Sequence, residues 1–264
     1  MKWKGPACEN DKVAFRNYFD ARNGMDIFGK RIPDMVLDSV GLPGTKSYHE
    51  LSDWGMDILK VGNSLGAGSI AFMINDTIYP VRNALDAKYK LLADGPLYSS
   101  FELTFNNYEI NGRQYNIKNI ISILPNQYCY ISDVIVEGLK GDEKFVTGIV
   151  NMHSDSLYSA ISGDYIGYYT YDKQTENGDN LGMGILFPKD EFISLLDDNV
   201  NTKDVDNTYF IALNFKDDNS VKYRFYSGWE LNDESFKSQK GFENMLLNDE
   251  TKLSTPLKVE FNKK

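Results

Sequence analysis

Short runs of alternating or β-branched residues, broken at close intervals by turn residues, constrain this chain more than any other feature. The runs are Val13–Phe19, Gly55–Val61, Ser69–Ile74, Thr77–Val81, Leu97–Phe105, Asn116–Leu124, Tyr128–Glu137, Lys144–Val150, Tyr165–Tyr171, Gly182–Phe187, Tyr209–Phe215, Val221–Tyr226 and Leu257–Phe261. Between them stand Asn75-Asp76, Asn106-Asn107, Asn111-Gly112, Gly141-Asp142, Asn177-Gly178 and Asp217-Asp218-Asn219. These residues tolerate left-handed backbone or hydrogen-bond their own turns, so each marks a chain reversal. Many short strands at this spacing predict an antiparallel sandwich or barrel. Helical signal is sparse. One helix is expected from Asp233 to about Leu247, with Phe236, Phe242, Met245 and Leu246 on its apolar side and Gly241 weakening it. A second, short one is expected near Asp190–Leu196. With no linker or repeat, residues 1–264 read as one domain.

Charge and cysteine usage narrow the function classes. The net charge is -10 and the pI about 4.8, which disfavours nucleic acid and anionic membranes as partners. No run approaches the roughly 20 apolar residues of a membrane helix, and Met1-Lys2-Trp3-Lys4 passes directly into Gly5-Pro6 without the apolar stretch of a signal peptide. Cys8 and Cys129 can form one disulfide or stay as two buried thiols. No Cys/His cluster points to zinc. The segment Asp197–Asn207 has calcium-loop spacing at Asp197, Asn199 and Asn201, but Thr202 and Thr208 stand where the motif needs Gly and Glu, so it reads as a solvated loop. No cofactor is implied. Aromatic residues are abundant, with 17 Tyr, 15 Phe and 3 Trp. Most belong to a core, but exposed rings also suit the C–H faces of pyranose sugars.

Potential chemistry concentrates in Ser47–Phe72, SYHELSDWGMDILKVGNSLGAGSIAF. His49, one of only two histidines, lies in a loop before an alternating run. If Gly55–Val61 is extended, Asp57 shares a face with Gly55, Leu59 and Val61, and Lys60 shares the other with Trp54, Met56 and Ile58. Apolar neighbours would raise the pKa of Asp57, as a general acid or base needs. Gly62, Gly66 and Gly68 lack the Lys-Ser/Thr of a phosphate loop and read as close backbone packing or a bulge. Upstream, ENDKVAFRNY places Arg16 and Tyr18 on one strand face. Arg16 either binds a substrate carboxylate or forms a salt bridge to Glu9 or Asp11. His153 lacks a nucleophile context beside Ser154 and Ser156. Trp229 either stacks on a sugar or packs in the core.

Five segments, ENDKVAFRNY, GMDIFGKR, SYHELSDWGMDILKVGNSLGAG, DGPLYSSFELTF and FYSGWE, occur in order from about Glu9 to Trp229. Together they resemble the bacterial domain-of-unknown-function family 4861, found widely in Bacteroidetes, often beside genes for degrading pectin and other uronic-acid polysaccharides. The resemblance implies a galactose-mutarotase-like antiparallel β-supersandwich and a periplasmic or extracellular setting. It also implies an upstream β-rich segment in many members. It raises His49 and Asp57 as catalytic residues, with Glu9, Arg16 and Lys60 binding substrate. The expected partner is a saccharide, uronate-containing in particular. Lyase, hydrolase and epimerase chemistry all remain open, as does a non-catalytic sugar-binding role.

Overall fold

Backbone with positive φ sits where the turn residues lie: Asn75 and Asp76 at 49° and 56°, Asn111 and Gly112 at 50° and 73°. Both pairs close two-residue hairpins, since two consecutive left-handed residues match the twist of the strands they join. The computed structural model describes residues 5–82, 87–196 and 199–255. The expected strand Leu257–Phe261 and Asp197 of the calcium-like loop lie outside the described residues.

The strands form three sheets. The smallest is β1 (Ala7–Glu9), β2 (Val13–Asn17), β3 (Met25–Lys30) and β4 (Gly55–Asp57), antiparallel and in that order. A six-stranded sheet uses β5 (Ala71–Ile74), β6 (Thr77–Pro80), β11 (Lys144–Val150), β15 (Phe192–Leu195), β16 (Asn201–Thr202) and β17 (Thr208–Leu213) in the order β15-β17-β11-β5-β6-β16. Only its β16–β6 pair is parallel. The strands of the large sheet are β7 (Lys88–Gly95), β8 (Tyr98–Ile110), β9 (Arg113–Ile123), β10 (Cys129–Glu137), β12 (Tyr158–Ser162), β13 (Tyr165–Asp172), β14 (Leu181–Pro188) and β18 (Ser220–Trp229). Their order is β12-β13-β14-β18-β10-β9-β8-β7, all antiparallel. The chain is thus mainly β and antiparallel, as its punctuation predicts.

One apolar core draws on all three sheets, with Phe15 and Ile27 from the small one, Phe72 and Phe145 from the six-stranded one, and Ile121 and Phe225 from the large one. The glycines of the Ser47–Phe72 segment serve this junction. A Cβ on Gly66 would lie 2.4 Å from the Met25 carbonyl oxygen. One on Gly68 would meet Phe225 at 2.8 Å and the Tyr130 hydroxyl at 2.9 Å. They therefore permit close backbone packing, the expected reading.

The single α-helix among the described residues, α1 (Gln239–Ser254), begins later than predicted, after a 3-10 turn at Glu234–Lys237. Ser238 caps it, its hydroxyl accepting from the Gly241 amide at 3.2 Å. Phe242 sits over Gly182 and Gly228, which are paired across β14 and β18 and leave room for the ring. The helix expected at Asp190–Leu196 is instead a 3-10 turn, Lys189–Glu191, running into β15. Pairing with β17 overrides the weak local helical preference there. Likewise the expected strand Gly55–Val61 stops at Asp57. Its ladder with β3 covers only Phe28–Lys30, and one further bond, from the Ile58 amide to the Ile27 carbonyl at 3.0 Å, ends the pairing. No helix among the described residues is long and apolar enough to cross a membrane. Cys8 and Cys129 are two buried free thiols, and burial pushes Cys8 up to about 12.

Candidate active site

The small sheet has one apolar and one charged face, and the alternation of β3 states it in sequence. Met25 and Ile27 enter the core, while Asp26, Phe28 and Lys30 point the other way. Register carries that second face across the sheet. Arg16 lies opposite Asp26, Phe28 opposite Asp57, and Glu9 opposite Ala14. The segment between β3 and β4 covers the face, touching it where Trp54 stacks on Phe28 and where Glu9 accepts the Val36 and Leu37 amides. Arg16, Asp26, Lys30 and Asp57 are all no more than 5% exposed.

The ion pairing is asymmetric. One Arg16 nitrogen, Nη2, lies 2.6 Å from Asp26 Oδ2 and 3.5 Å from Asp57 Oδ2. Tyr18 donates its hydroxyl to the same Asp26 oxygen at 2.9 Å. The guanidinium lies 4.9, 5.0 and 5.4 Å from the ring centres of Tyr18, Phe28 and Tyr48, distances at which cation–π attraction applies. Two carboxylates therefore face one cation in a dry setting. Burial first, and then the neighbouring Asp26, push the Asp57 carboxyl up to about 9, against the downward pull of Arg16. Asp26 is raised for the same first reason, burial. Arg16 stays charged: burial disfavours its cation, but Asp26 and Asp57 outweigh it. The pair thus retains a shared proton at neutral pH.

His49 provides the route to solvent. Its side chain is 61% exposed, its ring centre is 4.3 Å from that of Tyr48, and its Nδ1 stands 3.5 Å from Asp57 Oδ2. Trp54, half-buried, stacks on Phe28 on the same face, with ring centres 6.4 Å apart. Beside Trp54 a pocket of about 460 Å3 is lined by Arg31, Lys46, Asp53 and Leu51 among others. The aspartate pair and the exposed imidazole thus lie together at the β3–β4 segment, and the same segment supplies Lys46 and Trp54 to the pocket that Arg31 also lines. No group of three or more His, Cys, Asp or Glu among the described residues could hold a metal ion.

The predicted residues divide. The fold brings His49, Asp57 and Arg16 together. Arg16, however, is occupied by the two aspartates, because register places Asp26 opposite it; neither Glu9 nor Asp11 is its partner. Glu9 is a structural anchor. It pairs with the buried Lys30 at 2.7 Å and accepts the Val36 and Leu37 amides at 2.8 and 3.0 Å, fixing the start of the covering segment. Lys60 is exposed on the coil after β4, and none of its described contacts joins it to the cluster. Trp229 is core: it is 2% exposed, and a Cβ on Gly29 would lie 2.4 Å from its ring. Its indole N–H donates to Asp179 at 3.3 Å. Asp26, Tyr18 and Tyr48 are additional members of the cluster. The charged alternation Asp26-Phe28-Lys30 is the sequence signal that marks the first of them.

Among proteins of known sequence, the chain is 25% identical over 269 residues to the uncharacterized protein P7 of Formosa agariphila. The match covers 95% of this chain and 65% of that relative, so the chain spans less than two thirds of its length. Among solved structures, an alpha-mannosidase from Enterococcus faecalis aligns with TM-score 0.48 and 8% identity, over 92% of this chain and 32% of the other. A protein described as an aldose 1-epimerase from Klebsiella pneumoniae aligns with TM-score 0.39 and 9% identity, over 96% and 84%. A family model matches residues 1–259, and the chain belongs to the family described as Domain of unknown function (DUF4861).

Proposed function

We propose that the protein is a carbohydrate-active enzyme of the proton-transfer type, a lyase or epimerase, with His49 as the general acid/base and the Asp57–Asp26 pair as its proton reservoir. One observation carries this reading: an exposed imidazole stands 3.5 Å from the buried Asp57 carboxyl, which burial and the neighbouring Asp26 bias towards keeping its proton. Protons can pass between Asp57 and His49, and His49 can present them to a bound molecule. Hydrolysis fits less well. A glycosidase needs two carboxyl groups flanking the bond to be cleaved. Here both aspartates touch the same guanidinium nitrogen beneath the surface, so they do not straddle a substrate.

The saccharide assignment rests on the site itself. Tyr18, Tyr48 and Trp54 offer half-buried ring faces for pyranose packing. A uronate is the substrate proposed. Its carboxylate would meet Arg31 and Lys46 in the pocket beside Trp54, rather than Arg16, which is already paired. Neutralising that carboxylate acidifies the adjacent C–H, which is what a proton-abstracting base needs.

The test is incubation of the protein with oligogalacturonates and other uronate oligosaccharides. Unsaturated product is read by ultraviolet absorbance, and epimer or anomer exchange by NMR in D2O. His49→Asn and Asp57→Asn should each slow turnover about 100-fold or more. Undiminished turnover in both variants would reject the assignment. The near-complete burial of Asp57 favours one rival, in which the cluster only fixes the covering segment of a sugar-binding protein. That rival predicts calorimetric binding with no new product.

A further inference from the structure

A second concavity lies away from His49. A groove of about 870 Å3 runs between β1 and the β7–β8 edge of the large sheet. Its character follows from the strand period. Tyr89 and Leu91 point into the groove from β7, while Lys88 and Lys90, on alternate positions, point to the other face. Tyr98, at the start of β8, adds a second ring. Tyr89 and Tyr98 are 48% and 44% exposed, too open for core residues, and Tyr89 is braced from behind by Phe101 at 5.7 Å.

The charge of the lining is one-sided. Asp11, Asp38 and Asp94 contribute carboxylates, and the described lining residues include no Lys, Arg or His. Glu9, also in the wall, is neutralised by Lys30. Asp11 is in turn balanced by Lys12 at 3.8 Å, which leaves Asp38 and Asp94 as the carboxylates an anionic sugar would meet, whereas hydroxyl groups would find acceptors in them. This is the reverse of the pocket beside Trp54, where Arg31 and Lys46 supply cations.

We propose that this groove binds an uncharged stretch of glycan, with Tyr89 and Tyr98 packing against pyranose faces and Asp38 and Asp94 accepting from sugar hydroxyls. The groove holds the chain; no chemistry is assigned to it. The proposal does not rest on the acid/base reading of His49, and the two can fail separately. Only the start of the covering segment, anchored by Glu9, lies between them.

The experiment is titration calorimetry of the whole chain with neutral hexasaccharides of glucose, xylose, mannose and galactose, and with hexagalacturonate. At least one neutral hexasaccharide should bind, with little dependence on salt. Tyr89→Ala and Tyr98→Ala should each weaken it about five- to tenfold. Tyr89→Phe, which keeps the ring, should retain binding and guards against a folding artefact, with circular dichroism checked for every variant. Hexagalacturonate affinity should be unchanged by the two alanine variants, and His49→Asn should leave neutral binding intact. The proposal is overturned if no neutral hexasaccharide binds. It is equally overturned if both alanine variants bind as the parent does, or if they lose hexagalacturonate along with the neutral ligand. Unchanged turnover in both His49→Asn and Asp57→Asn would instead sink the acid/base reading and leave the groove standing.

Discussion

Replacing Asp57 by Asn removes one of two carboxyl groups served by a single guanidinium nitrogen, and the effect should appear in the pH dependence of stability. In the folded chain Asp57 is raised from an ordinary 3.8 to about 9, chiefly by burial and by Asp26. In the unfolded chain it titrates near 3.8. Between those values the folded state holds one proton more than the unfolded state. Stability therefore falls as pH rises, by about 1.4 kcal/mol per pH unit for one proton. From pH 5 to pH 7 that is on the order of 3 kcal/mol, a large share of the roughly 5–15 kcal/mol that holds a domain together. In Asp57→Asn the carboxyl group that takes up this proton is absent, while Asp26, raised by its own burial, is common to parent and variant. The stability curve of the variant should be shallower than the parent's by about one proton, and the variant should gain on the parent steadily from pH 5 to pH 8. Urea unfolding at fixed pH steps measures this, and other titrating groups largely cancel in the difference. Parallel curves for parent and variant would refute the shared-proton account of the pair.

Three further substitutions test other parts of the structure. Gly29→Ala should cost about 1–3 kcal/mol in urea unfolding, because the added methyl overlaps the Trp229 ring; an unchanged midpoint would contradict the core placement of Trp229. Glu250 is fully buried on α1, and burial raises it to about 7. Its contribution is therefore favourable near pH 4.5 and lost as pH rises through 7, so Glu250→Gln should raise the melting temperature at pH 8 relative to the parent more than at pH 5. Glu9→Ala strips the counter-charge from Lys30, which is fully buried, and should cost about 3–5 kcal/mol. It should also expose residues 31–54 to limited proteolysis, since the Val36 and Leu37 amides lose their acceptor.

Local chemistry was readable in the chain wherever it was decided by a few adjacent residues. The reversals at Asn75-Asp76 and Asn111-Gly112 follow from residues that accept positive φ, and the antiparallel β class follows from their spacing. The grouping of His49 with Asp57 was visible because they lie within one segment. The alternation of Asp26 with Phe28 and Lys30 marks a charged strand face but does not name the partner of Asp26. The partner of Arg16 is set by register between β2 and β3 rather than by nearness in sequence.

The sequence by itself determined the strand-rich class, the turns, the core tendency of most aromatic residues and the segment that bears the histidine. These depend on side-chain periods and backbone preferences that act over a few residues. Tertiary structure alone decided that Asp57 and Asp26 share Arg16, that Glu9 anchors a covering segment through Lys30, and that Trp229 is buried over Gly29. It also decided that Tyr89 and Tyr98 stand at an acidic groove while Arg31 and Lys46 stand at another pocket. Each of these joins residues from different strands or loops, so its energy depends on register and desolvation that exist only once the sheets have formed.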